Sequence, residues 1–224
     1  MLKNSRVLFF FFVFLILLDI SYSFYQHLQM PLDGDVAESV VPAPWMSKVF
    51  SDPFGFKVLL NKEEYPNPNR FFAHWPMHVY LKKVPLWMQI FLEPIDSIYW
   101  ACALFKILIQ AFIILIISFF ISAFFKNSRW KSVLIAAIII IPLFQTEGYN
   151  RYMGVIDQSI TYTFFYAFPV MLLLVFFLPV FLAEVSRSYH FNWIIKIFLI
   201  CLALILPFSG PLIPAIALIF SLLF

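Results

Sequence analysis

The stretch that decides the fold is residues 98–125, IYWACALFKILIQAFIILIISFFISAFF, which holds a single charged side chain, that of Lys106. A helix rises about 1.5 Å per residue, so roughly 20 apolar residues cross the hydrocarbon core of a bilayer, which is about 30 Å thick. Lys126, Arg129 and Lys131 follow directly, and basic residues beside a span stay on the cytoplasmic side. The stretch therefore predicts a membrane-spanning helix that ends in the cytoplasm.

The composition of the whole chain agrees with this prediction. Of the 224 residues, 63% are hydrophobic and 12% are charged, about half the charged share of about 25% in a soluble domain. We therefore predict the all-α class, as a polytopic transmembrane helix bundle. The net charge of +3, without a basic stripe, argues against nucleic acid as a partner. No phosphate-binding loop, dinucleotide fingerprint or hydrolase nucleophile elbow occurs in the sequence.

Further apolar runs predict about five to six spans in total. The run at 133–144 is short for a crossing and is broken near Pro142. The additional predicted spans are 7–24, 133–144, 160–183 with Pro169 and Pro179 inside it, 192–208, and a last run after the turn at 209–211.

The basic residues predict one orientation for all of these spans. Lys3 and Arg6 precede the first span, and Arg187 and Lys196 follow the fourth. Together with the basic loop after 98–125 they occupy alternate loops, so one topology places all of them in the cytoplasm with the amino terminus. We expect a bacterial inner or plasma membrane. The extracytoplasmic segments are then 25–97, 145–157 and 209–211.

The chain is predicted to be a single membrane domain, 1–224. It comprises a cytoplasmic tail with the first span (1–24), a long extracytoplasmic loop (25–97) and the further spans (98–224). Asp19 is unusual for the core of a cleaved signal peptide, which favours an uncleaved first span. The last span stops at Phe224 without a polar tail, so we expect the front part of a longer protein.

The loop 25–97 is rich in Trp, Phe, Met and Leu, so we expect it to be folded and functional rather than disordered. Tryptophan is typical of the boundary between lipid tails and water. We therefore predict interfacial helices that roof a cavity. The predicted pieces are a helix over 37–50 interrupted at Pro42 and Pro44, and shorter apolar pieces at 54–60 and 85–92.

The motif Asp33-Gly34-Asp35 follows the first span. Two carboxylates beside a glycine, which allows a tight turn, could bind Mg²⁺ or Mn²⁺ through hard oxygen ligands. One carboxylate could instead act as a general base on an acceptor hydroxyl. The structural interpretation is a turn at Asp33-Gly34 and a capping box of Asp35 with Glu38, for a helix that starts at Val36. The interpretations are compatible, because a capping carboxylate can still face a cavity.

A first span, an acidic pair early in a long outer loop, interfacial helices and a second span resemble, over residues 1–125, the layout of the GT-C class of glycosyltransferases. The resemblance implies that a sugar is taken from a polyprenyl-phosphate carrier. It also implies that Asp33 and Asp35, which match the pattern, serve catalysis or metal binding. The stretch 156–162, IDQSITY, is similar to a segment of uncharacterised bacterial membrane proteins related to that class.

Other polar residues have two interpretations each. A charge inside a span costs about 2.5–3.5 kcal/mol on insertion scales, so Asp19 and Lys106 could form an ion pair that fixes two helices; alternatively, Lys106 could face the phosphate of a lipid donor. Arg151 could bind a phosphate bidentately or belong to an interfacial girdle of Tyr and Arg. His74 and His78 share one helix face, which permits metal ligation, but without an evident third ligand we favour interfacial or cavity-lining histidines.

Two functions are therefore predicted. The first is a membrane glycosyltransferase that moves a sugar from a polyprenyl-phosphate carrier to a glycan, lipid or protein acceptor on the extracytoplasmic side. Asp33 and Asp35 are its predicted catalytic or metal-binding residues, and Arg151 and Lys106 its predicted phosphate-binding residues. The second is a non-enzymatic transporter, flippase or assembly protein for lipid-linked glycans. Acids in the outer loop rather than in mid-membrane favour the transferase.

Overall fold

The computed structural model describes residues 2–52, 54–62, 71–125, 129–144, 156–210 and 212–223. These residues form helices and the turns that join them, with no β-strand in any of the described ranges. The predicted all-α class is therefore confirmed. The helices, in chain order, are α1 (Leu2–Leu28), α2 (Asp35–Val40), α3 (Pro44–Ser51), α4 (Phe56–Asn61), α5 (Phe71–Met88), α6 (Pro94–Ser122), α7 (Arg129–Ile140), α8 (Ile160–Ser186), α9 (Trp193–Ile205) and α10 (Ile213–Leu223).

Within the described ranges, three helices are long and apolar enough to cross a membrane: α1, α6 and α8. They coincide with the predicted spans at 7–24, 98–125 and 160–183. Helices α7, α9 and α10 are apolar but shorter. Helix α7 has 12 residues, which gives about 18 Å of helix against a hydrocarbon core of about 30 Å. It ends in a 3₁₀ turn, Ile141–Phe144, at the break that Pro142 indicated.

Helix α6 lies at the centre of the molecule. Of its most apolar stretch 50% is buried, compared with 6% for α1 and 17% for α8. It packs against α1, α5, α7 and α8, and its Ile109 and Ile113 form a core cluster with Ala137 and Ile140 of α7. Exposed Phe, Leu and Ile side chains cover the outer faces of α1, α9 and α10, which suits contact with lipid tails.

A buried polar layer joins α1 to α6. The two helices run antiparallel, and the His27 ring nitrogen Nε2 donates to Gln110 Oε1 at 3.1 Å. The Gln110 amide in turn donates to Ser23 Oγ at 3.2 Å. All three side chains are at most 2% exposed. The layer fixes the register of the two helices, because sliding either one would leave buried polar groups without partners.

Helix α5 is longer than the sequence predicted. The expected apolar piece at 85–92 is only its last turn and the connection to α6, and the helix continues through both Pro76 and Pro85. An interior proline costs about 3 kcal/mol. Tertiary packing overrides this cost, since a stripe spaced four residues apart is buried along the helix. The stripe consists of Ala73, Met77, Leu81 and Pro85.

The other pieces of the loop follow the prediction more closely. The predicted helix over 37–50 is interrupted as expected, because α2 ends at Val40 and α3 begins at Pro44. The rings of Phe54 and Phe208 are 5.3 Å apart, so the turn between α9 and α10 lies against the loop. We call the end of the bundle formed by the α1–α6 connection, this turn and the start of α8 the loop end.

The polar layer generates a first prediction. Replacing Gln110 with Leu keeps the volume but removes the partner of both His27 and Ser23. We expect the free energy of unfolding to fall by about 1–2 kcal/mol, measured by thermal denaturation of the protein in detergent. The matched control is Leu108→Ala on the exposed face of α6, which should change stability less. Equal stability of wild type and Gln110→Leu would contradict a structural role for the layer.

Candidate functional site

The carboxylate of Asp33 binds the start of α8 across 126 to 128 residues of sequence. Ser159 Oγ donates to Asp33 Oδ2 at 2.6 Å. The Thr161 backbone N–H donates to the same oxygen at 3.1 Å, and Thr161 Oγ1 donates to Oδ1 at 3.0 Å. Both oxygens of Asp33 therefore accept hydrogen bonds from one short segment.

This arrangement is an N-cap supplied by a distant part of the chain. The first N–H groups of a helix have no partner within the helix, and the helix dipole favours negative charge beside them. Ser159 caps α8 locally by accepting from the Tyr162 N–H at 3.3 Å, and Asp157 Oδ1 accepts from the Ser159 N–H at 2.7 Å. Asp33 adds the third anchor and ties the first loop to α8.

Lys106 holds the same segment from inside the bundle. Its side chain is 2% exposed, and its Nζ donates to the Gln158 carbonyl and to Met30 Sδ at 3.7 Å. The carboxylates of Asp33 and Asp157 also interact electrostatically with this ammonium group. Lys106 thereby joins the end of α1, the middle of α6 and the start of α8.

The predicted ion pair between Asp19 and Lys106 was wrong. Asp19 lies eight residues before His27, which is about 12 Å along α1. Lys106 lies four residues before Gln110, the partner of His27, and therefore about one turn from this layer on the side away from Asp19. The two helices are antiparallel, so this register places the two charges at different depths. The ion pair between described side chains is instead Glu184 with Arg187, at 3.3 Å near the end of α8.

A pocket of about 140 Å³ lies at the loop end, between α2, α3, α5 and the start of α8. Its walls are mostly apolar and aromatic, with two carboxylates on one side and a histidine on another. Its lining consists of Asp35, Glu38, Ser39, Pro42, Ala43, Trp45, Met46, Phe50, His74, Met77, Thr161 and Phe165.

The two aspartates of the motif have different surroundings. Asp35 is exposed in the first turn of α2 and lines the pocket. Asp33 is half-buried and accepts hydrogen bonds from Ser159 and Thr161. The predicted turn is present, since the Val36 N–H bonds the Asp33 carbonyl at 3.4 Å. The capping box is absent, because α2 starts at Asp35 with Gly34 as an N-cap that makes no side-chain bond.

Gly34 does not need the conformational freedom of glycine. Its φ of −65° and ψ of −24° lie in the ordinary right-handed helical region, and a Cβ atom added there would meet nothing within 4 Å. The tight turn is therefore open to other residues.

The two histidines of α5 face α2 and α8. His78 Nδ1 donates to the Ser39 carbonyl at 2.7 Å, and the His74 ring lies 4.6 Å from the ring of Phe165. In the part of the chain that the structure describes, no three His, Cys, Asp or Glu side chains converge as a metal site would require. A metal-binding role of Asp33 and Asp35 stays a prediction.

Aromatic side chains pack in the core cluster that contains the pocket residue Met77. The Tyr80 hydroxyl donates to the Ala101 carbonyl at 2.9 Å, and burial raises the pKa of Tyr80 above its usual range. Its ring packs against Phe105 and Phe164, which stack on each other at 3.7 Å. Tyr80 is thus a neutral hydrogen-bond donor that locks α5 to α6.

No protein-family model, curated protein or solved structure matches this chain. Its function is therefore inferred from the geometry of the loop end.

Of the predicted site residues, the structure brings Asp33, Asp35 and Lys106 to the loop end, with Asp35 at the pocket and Lys106 beneath the start of α8. Arg151 lies outside the described residues. The sequence prediction missed Ser159 and Thr161 as partners of Asp33. Their position just before and within the first turn of an apolar helix is a capping signal, but it does not reveal a distant partner.

The contacts of Asp33 generate a second prediction. Asp33→Ala removes the acceptor of three donors, and hydrogen bonds to a charged group are worth about 1.5–3 kcal/mol. We expect the amides of residues 160–163 to exchange at least about tenfold faster with deuterium, measured by mass spectrometry. Asp35→Ala is the matched control, since its carboxylate makes no hydrogen bond with the described residues. Identical exchange in both variants would remove the capping role from Asp33.

Proposed function

We propose that the protein is a membrane glycosyltransferase that moves a sugar from a polyprenyl-phosphate carrier to an acceptor on the extracytoplasmic side. The proposal includes about five to six spans, a cytoplasmic amino terminus, and a bacterial inner or plasma membrane. The observation that supports it most is the pocket at the loop end, where the carboxylate of Asp35 borders apolar walls. Glycosyl transfer needs a carboxylate beside a cavity that can hold the acceptor.

In this mechanism Asp35 is the general base. It takes the proton from the acceptor hydroxyl while the hydroxyl oxygen forms a bond to the anomeric carbon of the sugar. The bond from that carbon to the phosphate oxygen breaks, and the carrier phosphate leaves with the electron pair. Arg151, as a bidentate phosphate partner, is the proposed group that offsets this developing charge.

The other motif residues have supporting parts. Asp33 fixes Thr161, a pocket residue, through the bonds to both of its carboxylate oxygens. Lys106 is not among the described lining residues of the pocket. It donates a hydrogen bond to the carbonyl of Gln158, three residues before Thr161, so its proposed effect on the phosphate acts through the start of α8. A Mg²⁺ or Mn²⁺ ion, if the reaction uses one, would draw on the predicted hard oxygen ligands, the carboxylates of Asp33 and Asp35.

Asp35→Asn is the decisive variant of this mechanism. Loss of a general base costs about 10²- to 10⁴-fold in rate, with membrane insertion unchanged. The measurement follows radiolabelled sugar from a panel of polyprenyl-phosphate hexoses and pentoses into acceptor, using purified protein in proteoliposomes. Asp33→Asn should also lower the rate, by displacing Thr161.

The matched control is Asp96→Asn, an exposed acid at the start of α6, which should transfer sugar at the wild-type rate. Full activity of both Asp35→Asn and Asp33→Asn would eliminate the mechanism. If the wild-type protein transfers sugar from none of the donors in the panel, the transferase proposal is eliminated.

A transporter for lipid-linked glycans is the second candidate, and the buried polar interior favours it. His27, Gln110 and Lys106 lie within helices of candidate spans, where polar groups often mark transport pathways. Helix α8 also contains a π-helical turn, Thr163–Ala167, a feature frequent at functional sites.

Translocation of a fluorescent polyprenyl-phosphate sugar across proteoliposomes separates the two candidates. A transporter should lose translocation in Lys106→Met and keep it in Asp35→Asn, because the pathway then runs through the bundle. Translocation that is absent in the wild-type protein would exclude this candidate.

A further inference from the structure

The charge of the pocket restricts what can enter it. Asp35 and Glu38 are three residues apart on α2, so their side chains share one helix face, and both line the pocket. Among the described residues, the lining contains no Lys or Arg. A phosphate group beside Asp35 and Glu38 would meet two negative charges, which disfavours the carrier phosphate as the occupant of this part of the pocket.

The apolar walls are those that suit an organic cation. Trp45, Phe50 and Phe165 line the pocket, together with Met46 and Met77. A cation within about 6 Å of an aromatic ring is attracted by the negative face of the ring, by about 0.5–1 kcal/mol at exposed sites. Carboxylates with aromatic walls favour an ammonium group over a divalent metal ion, which requires several oxygen ligands at short range.

We propose that this pocket binds an organic ammonium group, carried by the acceptor. Assigning the group to the acceptor rests on the proposed glycosyl transfer; binding of the ammonium group does not. Glu38 and the ring of Trp45 hold the cation, and Asp35, one turn earlier on α2, faces the hydroxyl that attacks the sugar. Glu38 and Trp45 are thus specificity-determining residues, whereas Asp35 accepts the proton of the acceptor hydroxyl.

The test compares two probes of the same size. Ethanolamine carries an ammonium group and a hydroxyl, and ethylene glycol replaces the ammonium group with a second hydroxyl. Binding to the detergent-solubilised full chain is followed by saturation-transfer NMR. We expect ethanolamine to bind and ethylene glycol to bind about two- to fivefold more weakly, the factor for one partly exposed ion pair or cation–π contact.

Two variants with matched controls locate the site. Glu38→Gln and Trp45→Phe should each weaken ethanolamine binding, by about two- to fivefold for the carboxylate. Asp96→Asn removes an acid at the same end of the bundle, and Trp193→Phe replaces an exposed tryptophan at the start of α9; both should leave binding unchanged. Equal binding of the two probes by the wild-type protein overturns the proposal, and so does wild-type binding in both Glu38→Gln and Trp45→Phe.

Sugar-transfer measurements separate this inference from the proposed function. Ethanolamine binding without transfer from any donor would remove the transferase and leave the ammonium site. Transfer to neutral acceptors at the same rate as to amine-bearing acceptors, without ethanolamine binding, would remove the ammonium site and leave the transferase.

Discussion

The hydrogen bonds from Ser159 and Thr161 to the carboxylate of Asp33 are the constraint on which the loop end depends. They join the first loop to the start of α8, two parts of the chain that local forces cannot align. Because Asp35 is only two residues from Asp33, the same bonds set the position of α2 relative to Thr161, which lines the pocket from the other side. A carboxylate at a helix start is favourable in itself; here its larger effect is to assemble the pocket.

The cost of burying a charge in an apolar bundle explains why several groups surround the ammonium group of Lys106. An ammonium group such as that of Lys106 is costly to remove from water, and its burial is tolerated only with acceptors around it. The Gln158 carbonyl accepts a hydrogen bond from Lys106, and the carboxylates of Asp33 and Asp157 interact with the ammonium group electrostatically. The segment before α8 is therefore held from both sides, by an anion from the loop and by a cation from α6.

The resulting pocket divides the tasks that the motif Asp33-Gly34-Asp35 suggested. The carboxylate of Asp33 positions the start of α8. Asp35 lines the pocket beside Glu38, for which the sequence suggested only a capping role. The aromatic and Met walls belong to α3, α5 and α8, so the chemistry of the site comes from elements far apart in sequence. In the proposed transfer, this division assigns the pocket to the acceptor and the carrier phosphate to another part of the protein.

The sequence by itself determined the helical class, the three long apolar helices, the proline-marked breaks after Val40 and at Pro142, and the acidic motif at the loop end. These follow from hydropathy and backbone chemistry, which act within one or two helical turns. Only the tertiary structure decided that α5 runs through its prolines, that Lys106 binds Gln158 rather than Asp19, and that Asp33 caps a helix more than 120 residues away. Those outcomes depend on which faces of distant helices are buried together, and no local pattern of residues encodes that register.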